Sequence, residues 1–295
     1  MSGLRAGAQD PQAGVENQIQ AEIESHQLDP AISLARQAVE QYPKSSALQQ
    51  LLGVALFKKG LDDDARAAFR RAIELDPSVP QNYYDLALVE LSENEYSEAL
   101  PQLQAYLRLD PQNSEAHLLL GRAEHNLNQT APAIAEFKEA LRLAPQLPLA
   151  HYHLGYAYQS QGDLKAALEE FEKEIRFNAR FYDSYWLAGN IERDEGSLRA
   201  AEALYRQGLK LKPEGFEAHY GLGRVLLARK QFTDAESELK QALATRPDSV
   251  EAHYALAQDY QQAGDKSDAQ REFALCAELR AKHGAVTAGI AGQRP

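Results

Sequence analysis

Small and apolar residues along this chain follow two periods at once. Within short stretches they fall at the i, i+3, i+4 spacing that gives a helix one buried face. The whole arrangement then returns every 34 residues. The stretch Ser46 to Val79, SALQQLLGVALFKKGLDDDARAAFRRAIELDPSV, predicts two short helices joined by a tight turn. Leu52 and Gly53 lie in the first helix, Gly60 ends it, Ala65, Phe69 and Ala72 share a face of the second, and Pro77 closes the unit. Steps of 34 from Ala31 give Ala65, Ala99, Ala133, Ala167, Ala201, Ala235 and Ala269, a register that composition alone does not produce and that marks a repeat array.

Other columns keep the same step. Pro43, Pro77, Pro111, Pro145, Pro213 and Pro247 align, with Ala179 and Ala281 where proline is missing. The turn column reads Gly60, Asn94, Asn128, Gly162, Gly196, Lys230 and Gly264, mostly residues that accept a left-handed conformation just past a helix end. Gly53, Ala87, Gly121, Gly155, Gly189, Gly223 and Ala257 form a small-residue column, usually preceded by leucine, as closely packed helices require. Leu-Gly in the first helix, Ala then Phe in the second and a closing proline together resemble the tetratricopeptide repeat (TPR) family. The resemblance covers about residues 12 to 281. It implies an all-α, right-handed superhelical solenoid of about eight helix-turn-helix repeats, starting near 12, 46, 80, 114, 148, 182, 216 and 250. Its bearing on function is looser, because one scaffold serves many partners.

Residues 1–11 have no periodicity and are expected to be disordered, and 282–295 to form a flexible tail. Val15, Ile19 and Ile23 make a narrow apolar stripe, which suits a terminal helix with one covered side. Pro80 and Pro148 are expected to open their helices, Pro101 and Pro132 to fall early in theirs, and Asn113 and Ser249 to act as N-caps. The last repeat leaves Leu275 and Leu279 without a covering repeat, so self-association through that end, or a continuing array, is expected.

Charge and composition narrow the picture. The formal net charge of −12 argues against general nucleic-acid binding, which needs clustered Lys and Arg. No run approaches the ~18 apolar residues of a membrane span, so no membrane insertion is expected. Cys276 is the only cysteine, so no internal disulfide can form, and its column with Ala72 and Ala140 predicts a buried thiol. Ala6-Gly7-Ala8 resembles the small-residue end of an export signal without its apolar region. The compartment therefore stays open between the cytoplasm, the preferred reading, and the periplasm or exterior.

Candidate chemistry is sparse. His117, His151, His219 and His253 share one column, but one histidine per repeat cannot converge on a metal ion, and packing is the simpler role. Gly221-Leu222-Gly223 sits inside a helix, follows no strand and lacks a third glycine, so it is no nucleotide loop. With no catalytic motif, no enzymatic activity and no cofactor is expected.

By the family resemblance, the first helix of each repeat lines a concave groove. Its faces carry Tyr84, Tyr152, Trp186, Tyr220 and Tyr254; then Leu88, Arg122, Tyr156, Asn190, Arg224 and Gln258; and a turn further, Arg193. Aromatic rings with polar tips, interleaved with arginine, suit a protein or peptide ligand. Arg193 and Arg224 read either as partner contacts or as internal pairs with Asp183, Glu217 or Glu251. The segment RFNARFYDSYWLAGN departs most from the repeat pattern and is expected to line the middle of the binding surface. Asn190 has Trp186 rather than lysine four residues earlier, so the lysine–asparagine clamp of chaperone-tail binders is absent. The column Leu51, Asp85, Leu119, His153, Leu187, Gly221 and Ala255 likewise lacks the asparagine ladder of glycosyltransferase repeats. The expected function is a non-enzymatic interaction scaffold; the alternatives are a substrate-recruiting arm of a larger enzyme or an envelope assembly factor.

Overall fold

The computed structural model describes residues 11–291, with side chains through 282. The described residues form sixteen helices and no strand. Two compact units divide the chain, one through Ala157 and one from Tyr158, so the division falls inside α9 (Ala150–Gln161).

The first unit contains α1 (Pro11–Glu24), α2 (Leu28–Gln41), α3 (Ser46–Lys58), α4 (Asp62–Leu75), α5 (Pro80–Ser92), α6 (Tyr96–Leu109), α7 (Ser114–Asn126) and α8 (Thr130–Leu143). The second contains α10 (Leu164–Phe177), α11 (Tyr182–Asp194), α12 (Leu198–Leu211), α13 (Phe216–Ala228), α14 (Phe232–Thr245), α15 (Val250–Ala263) and α16 (Lys266–Ala291). Within each unit a helix packs on the helices before and after it. The first helices of successive repeats also touch: α1 on α3 and α3 on α5, then α11 on α13 and α13 on α15.

The columns explain the packing. Ala31, Ala65, Ala99, Ala133, Ala167, Ala201 and Ala235 are all 0% exposed, so a helix crosses its neighbour where the side chain is only a methyl group. The glycine column makes room for an aromatic ring: a Cβ on Gly53 would lie 2.6 Å from Phe69, and one on Gly121 2.7 Å from Phe137. The turn column is left-handed throughout, from His26 (φ 58°) through Asn94 (61°), Asn128 (60°) and Lys230 (58°) to the glycines. That twist lets the next amide reach back to a carbonyl of the last helical turn, as in Leu61 N–H to Leu56 O at 3.0 Å and Gln231 N–H to Leu226 O at 2.9 Å.

Several local expectations change. Pro148 does not open a helix; α9 begins at Ala150, after Leu149 in the left-handed region at φ 65°. Leu147, at the position where Ser45 and Asn113 cap their helices, offers no side-chain acceptor. Pro132 is the third residue of α8, but Pro101 is the sixth of α6, past the first turn. Helix α1 starts at Pro11, and α16 stays helical through Ala291, ten residues beyond Ala281. The rest of the terminal expectations, 1–10 and 292–295, lie outside the described residues. Ile19 and Ile23 are buried with Val15 packed beside them, Cys276 is buried, and Leu275 and Leu279 are half-buried. No helix among the described residues is long and apolar enough to cross a membrane.

Candidate functional site

The histidine column is a buttress. His219 on α13 puts Nδ1 2.6 Å from a Glu238 carboxylate oxygen on α14 and Nε2 2.7 Å from the Pro213 carbonyl in the preceding loop. A carboxylate and a carbonyl both accept, so this pair of contacts favours the ring form that donates from both nitrogens, the imidazolium. Burial pulls the His219 pKa down, but the Glu238 and Pro213 oxygens more than offset it, and the net direction is up. His253 repeats the geometry with Glu272 (2.6 Å) and Pro247 (2.9 Å), and His117 with Glu136 (2.6 Å) and Pro111 (3.2 Å). His151 reaches Pro145, while Tyr83 and Tyr185 in the same column donate to the carbonyls of Pro77 and Ala179. From Tyr83 to His253 this column ties the first helix of each repeat to the loop before it. Among the described residues, no group of three or more His, Cys, Asp or Glu is placed to hold a metal ion.

In the first unit, Tyr84 packs against Tyr106 at 5.2 Å, with its hydroxyl near Glu115; burial first, then Glu115, pushes its pKa up to about 12. Tyr152 and Tyr156 stack at 6.3 Å, and Tyr156, 43% exposed, meets His125 edge-on. Leu88 and Arg122 are half-buried on α5 and α7. His153, stacked on Phe137, has its pKa lowered to about 4, by burial first and then by Arg122 and His125. It is a neutral packing residue at pH 7.

In the second unit, part of the expected set is half-buried and bonded to its own neighbours. Trp186 donates its indole N–H to Asp183 at 2.9 Å. Asn190 Oδ1 accepts from Tyr205 (2.7 Å) and Arg193 (2.9 Å), and Arg193 pairs with Asp194. Asp183, Glu217 and Glu251 are thus not its partners; Glu217 pairs with Arg246. Tyr205 explains Gly221, where a Cβ would lie 2.3 Å from the Tyr205 ring. The irregular segment also has a packing role. Tyr182 Oη accepts the Ala218 N–H at 3.2 Å, capping α13 where Gly215 brings no side chain, and a Cβ on Gly215 would lie 2.2 Å from that oxygen. Serine and asparagine at the equivalent positions cap α3, α7 and α15 directly. Gly215 among those residues was the available signal.

Of the other expected residues, Arg224 and Tyr254 are exposed, while Tyr220 and Gln258 are half-buried. Arg224 is exposed, lies over the Tyr220 ring at 5.8 Å and has no ion-pair partner among the described residues. Tyr220, Val250, Glu251, Tyr254 and Arg280 line a cavity of about 390 Å³, and Tyr254 is 42% exposed. A second cavity, of about 460 Å³ in the first unit, is floored by Asn82 and walled by Gln50 and Gln81. Sequence reading singled out neither Gln81 nor Asn82, although Asp85, beneath them, departs visibly from the leucine column.

Comparison with known proteins agrees with this architecture. MamA 41-end from Desulfovibrio magneticus RS-1 is similar at 25% identity and TM-score 0.55, over 58% of this chain and 98% of that one. YrrB, described as a TPR protein with an unusual peptide-binding site, is similar at 21% identity and TM-score 0.56, over 62% of this chain and 95% of its own. The Cut9-Hcn1 hetero-tetramer of APC/C is similar at 19% identity and TM-score 0.59, over 83% of this chain and 48% of that one. No curated protein matches the chain. Tetratricopeptide repeat models match residues 17–80, 84–148, 133–180 and 187–250, and a second such model matches 226–288. The chain belongs to the tetratricopeptide repeat family, a family of protein-interaction scaffolds.

Proposed function

We propose that this chain is a non-enzymatic scaffold that holds an extended or helical segment of a partner protein against the first helices of its repeats. The observation that carries the reading is the Tyr220, Arg224 and Tyr254 cluster, where a guanidinium without an ion pair and two tyrosine rings stay accessible beside a cavity. An exposed arginine over a half-buried tyrosine ring, beside a second tyrosine that is itself exposed, has the composition of a binding hot spot. In the first unit Tyr84, Leu88, Arg122, Tyr152 and Tyr156 supply a second such face. Trp186, Asn190 and Arg193, bound to their own neighbours, act as rigid support. A preformed surface spares ordering entropy on one side of the complex. Peptide-library selection with the full chain and with Arg224→Ala/Tyr254→Ala tests the reading. Peptides should be enriched by the native chain and lost by the variant. Enrichment that survives both substitutions rejects this face, and no enrichment together with a concentration-dependent mass favours self-association.

A further inference from the structure

The cavity of the first unit has a polarity set by one buried residue. Asp85, 8% exposed, accepts from Gln50 Nε2 at 2.6 Å and from Gln81 Nε2 at 2.7 Å, one amide on each carboxylate oxygen. A carboxylate only accepts, so both amides must turn their NH₂ groups towards it. Their carbonyl oxygens are then left to accept from something else, and both residues line the cavity. The floor repeats the pattern. Asn82, 1% exposed, donates Nδ2 to Ser46 Oγ at 3.0 Å, while Ser46 gives its own proton to the Ala72 carbonyl at 2.9 Å. The Asn82 Oδ1 atom is buried with no hydrogen-bond partner among the described residues, a costly state in a native fold unless something supplies a donor.

Charge points the same way. The lining carries one cation, Lys44, and one carboxylate, Asp76, and Asp85 beneath it is held by two neutral amides. A ligand for this cavity must therefore bring N–H donors and positive charge. A cavity of about 460 Å³ falls in the range that takes a compact group.

Building on the scaffold reading, we infer that the cavity between α3 and α5 is a subsite for a guanidinium or ammonium side chain of the bound segment, held by the carbonyl oxygens of Gln50 and Gln81. Asp85 is a positioning residue that fixes the direction of both amides. The repeat itself supplies the test variant, because the same column holds Leu51, Leu119 and Leu187. Asp85→Leu therefore suits the fold while releasing the two amides.

The test is NMR titration of the ¹⁵N-labelled full chain with N-acetyl-Ala-Arg-Ala-amide, with Glu replacing Arg as the control. The arginine peptide should shift the Gln50 and Gln81 side-chain amide resonances saturably, and Asp85→Leu should weaken it at least tenfold. The absence of shifts, equal binding of the glutamate peptide or undiminished binding to Asp85→Leu overturns the inference. If Asp85→Leu does not fold, Gln81→Met removes one acceptor with Asp85 retained, and unchanged affinity there overturns it equally. Library peptides lost with Arg224→Ala/Tyr254→Ala but indifferent to Asp85→Leu would leave the scaffold reading standing, so the two can fail separately.

Discussion

The two units are built from the same repeat but depart from it in opposite ways. The first unit places Asp85 between Leu51 and Leu119 of its column, and Glu90 after Leu56 in a column that continues with Glu124, Tyr158, Glu192, Leu226 and Tyr260. Glu90 is 0% exposed with neither oxygen hydrogen-bonded, and its nearest cation, Arg70, is 3.7 Å away. Glu124, one repeat on, is also buried with one oxygen unpartnered. The second unit exchanges volume instead. Tyr205 and Tyr182 bring extra bulk and a hydroxyl, and Gly221 and Gly215 give way to them. It too buries acids, Glu170, Glu174 and Asp259, but among the described residues only Asp259 of these three has a buried oxygen without a hydrogen-bond partner. A repeat column can thus be broken at a cost in solvation or with a compensating change in the adjacent repeat, and only the second keeps packing intact.

Restoring the column residue should therefore have opposite signs in the two units. Gly221→Leu drives a side chain into the Tyr205 ring and should cost about 3 kcal/mol. Glu90→Leu removes a buried charge and should stabilise by about 1–3 kcal/mol. Chemical denaturation of both variants reads the two signs, and a loss of stability in Glu90→Leu would mean that the Glu90 carboxylate is satisfied.

The pH dependence is the next effect in size. Burial, with Glu98 and Glu95 adding to it against the pull of Arg70 and Arg66, raises the Glu90 pKa to about 7. Burial and then Glu136 do the same for Glu124, also to about 7. A carboxyl whose folded pKa exceeds its unfolded value favours the folded state when protonated, so this stability is lost as pH rises through about 7. The raised His219 pKa has the same sign, because its contribution is complete below the unfolded value of about 6.5 and fades above it. The thermal midpoint should rise between pH 8 and pH 6.5. Below that, His153, held neutral with its pKa lowered to about 4, opposes the gain. A Glu90→Leu/Glu124→Leu variant should lose most of the rise; an unaltered slope would assign it to His219 in the second unit.

Two smaller effects sharpen the contrast. Tyr182→Phe deletes the cap on α13 and should cost about 1 kcal/mol, with faster amide exchange at Ala218. Lys230→Gly should stabilise by about 1 kcal/mol, since lysine holds a left-handed turn that glycine adopts without a Cβ penalty. No gain there would show that the Lys230 side chain offsets its own strain.

The sequence made the array legible because the alanine, turn and proline columns answer to local geometry, which repeats whenever the residue does. It was less informative where one repeat answers to the next. Tyr182 and Gly215 lie 33 residues apart and make sense only as a pair, and the same holds for Tyr205 and Gly221. Trp186 and Arg193 looked outward by their register, yet Asp183 and Asn190 sit within reach on the same helix and take their donors. Register fixes which face a residue starts from, while hydrogen-bond partners decide where a long side chain ends.

Packing that within each unit reaches no further than the next repeat also sets a timescale. Side-chain hydrogen bonds from one repeat to the next, such as those between Asn82 and Ser46 or Ala218 and Tyr182, join residues 36 positions apart. Chain segments that short close quickly, and loop-closure entropy is recovered pair by pair as each repeat docks on the one before. Folding within each unit can start at any well-formed pair and spread, so a damaged repeat slows growth through its own position and leaves the starting points on either side available.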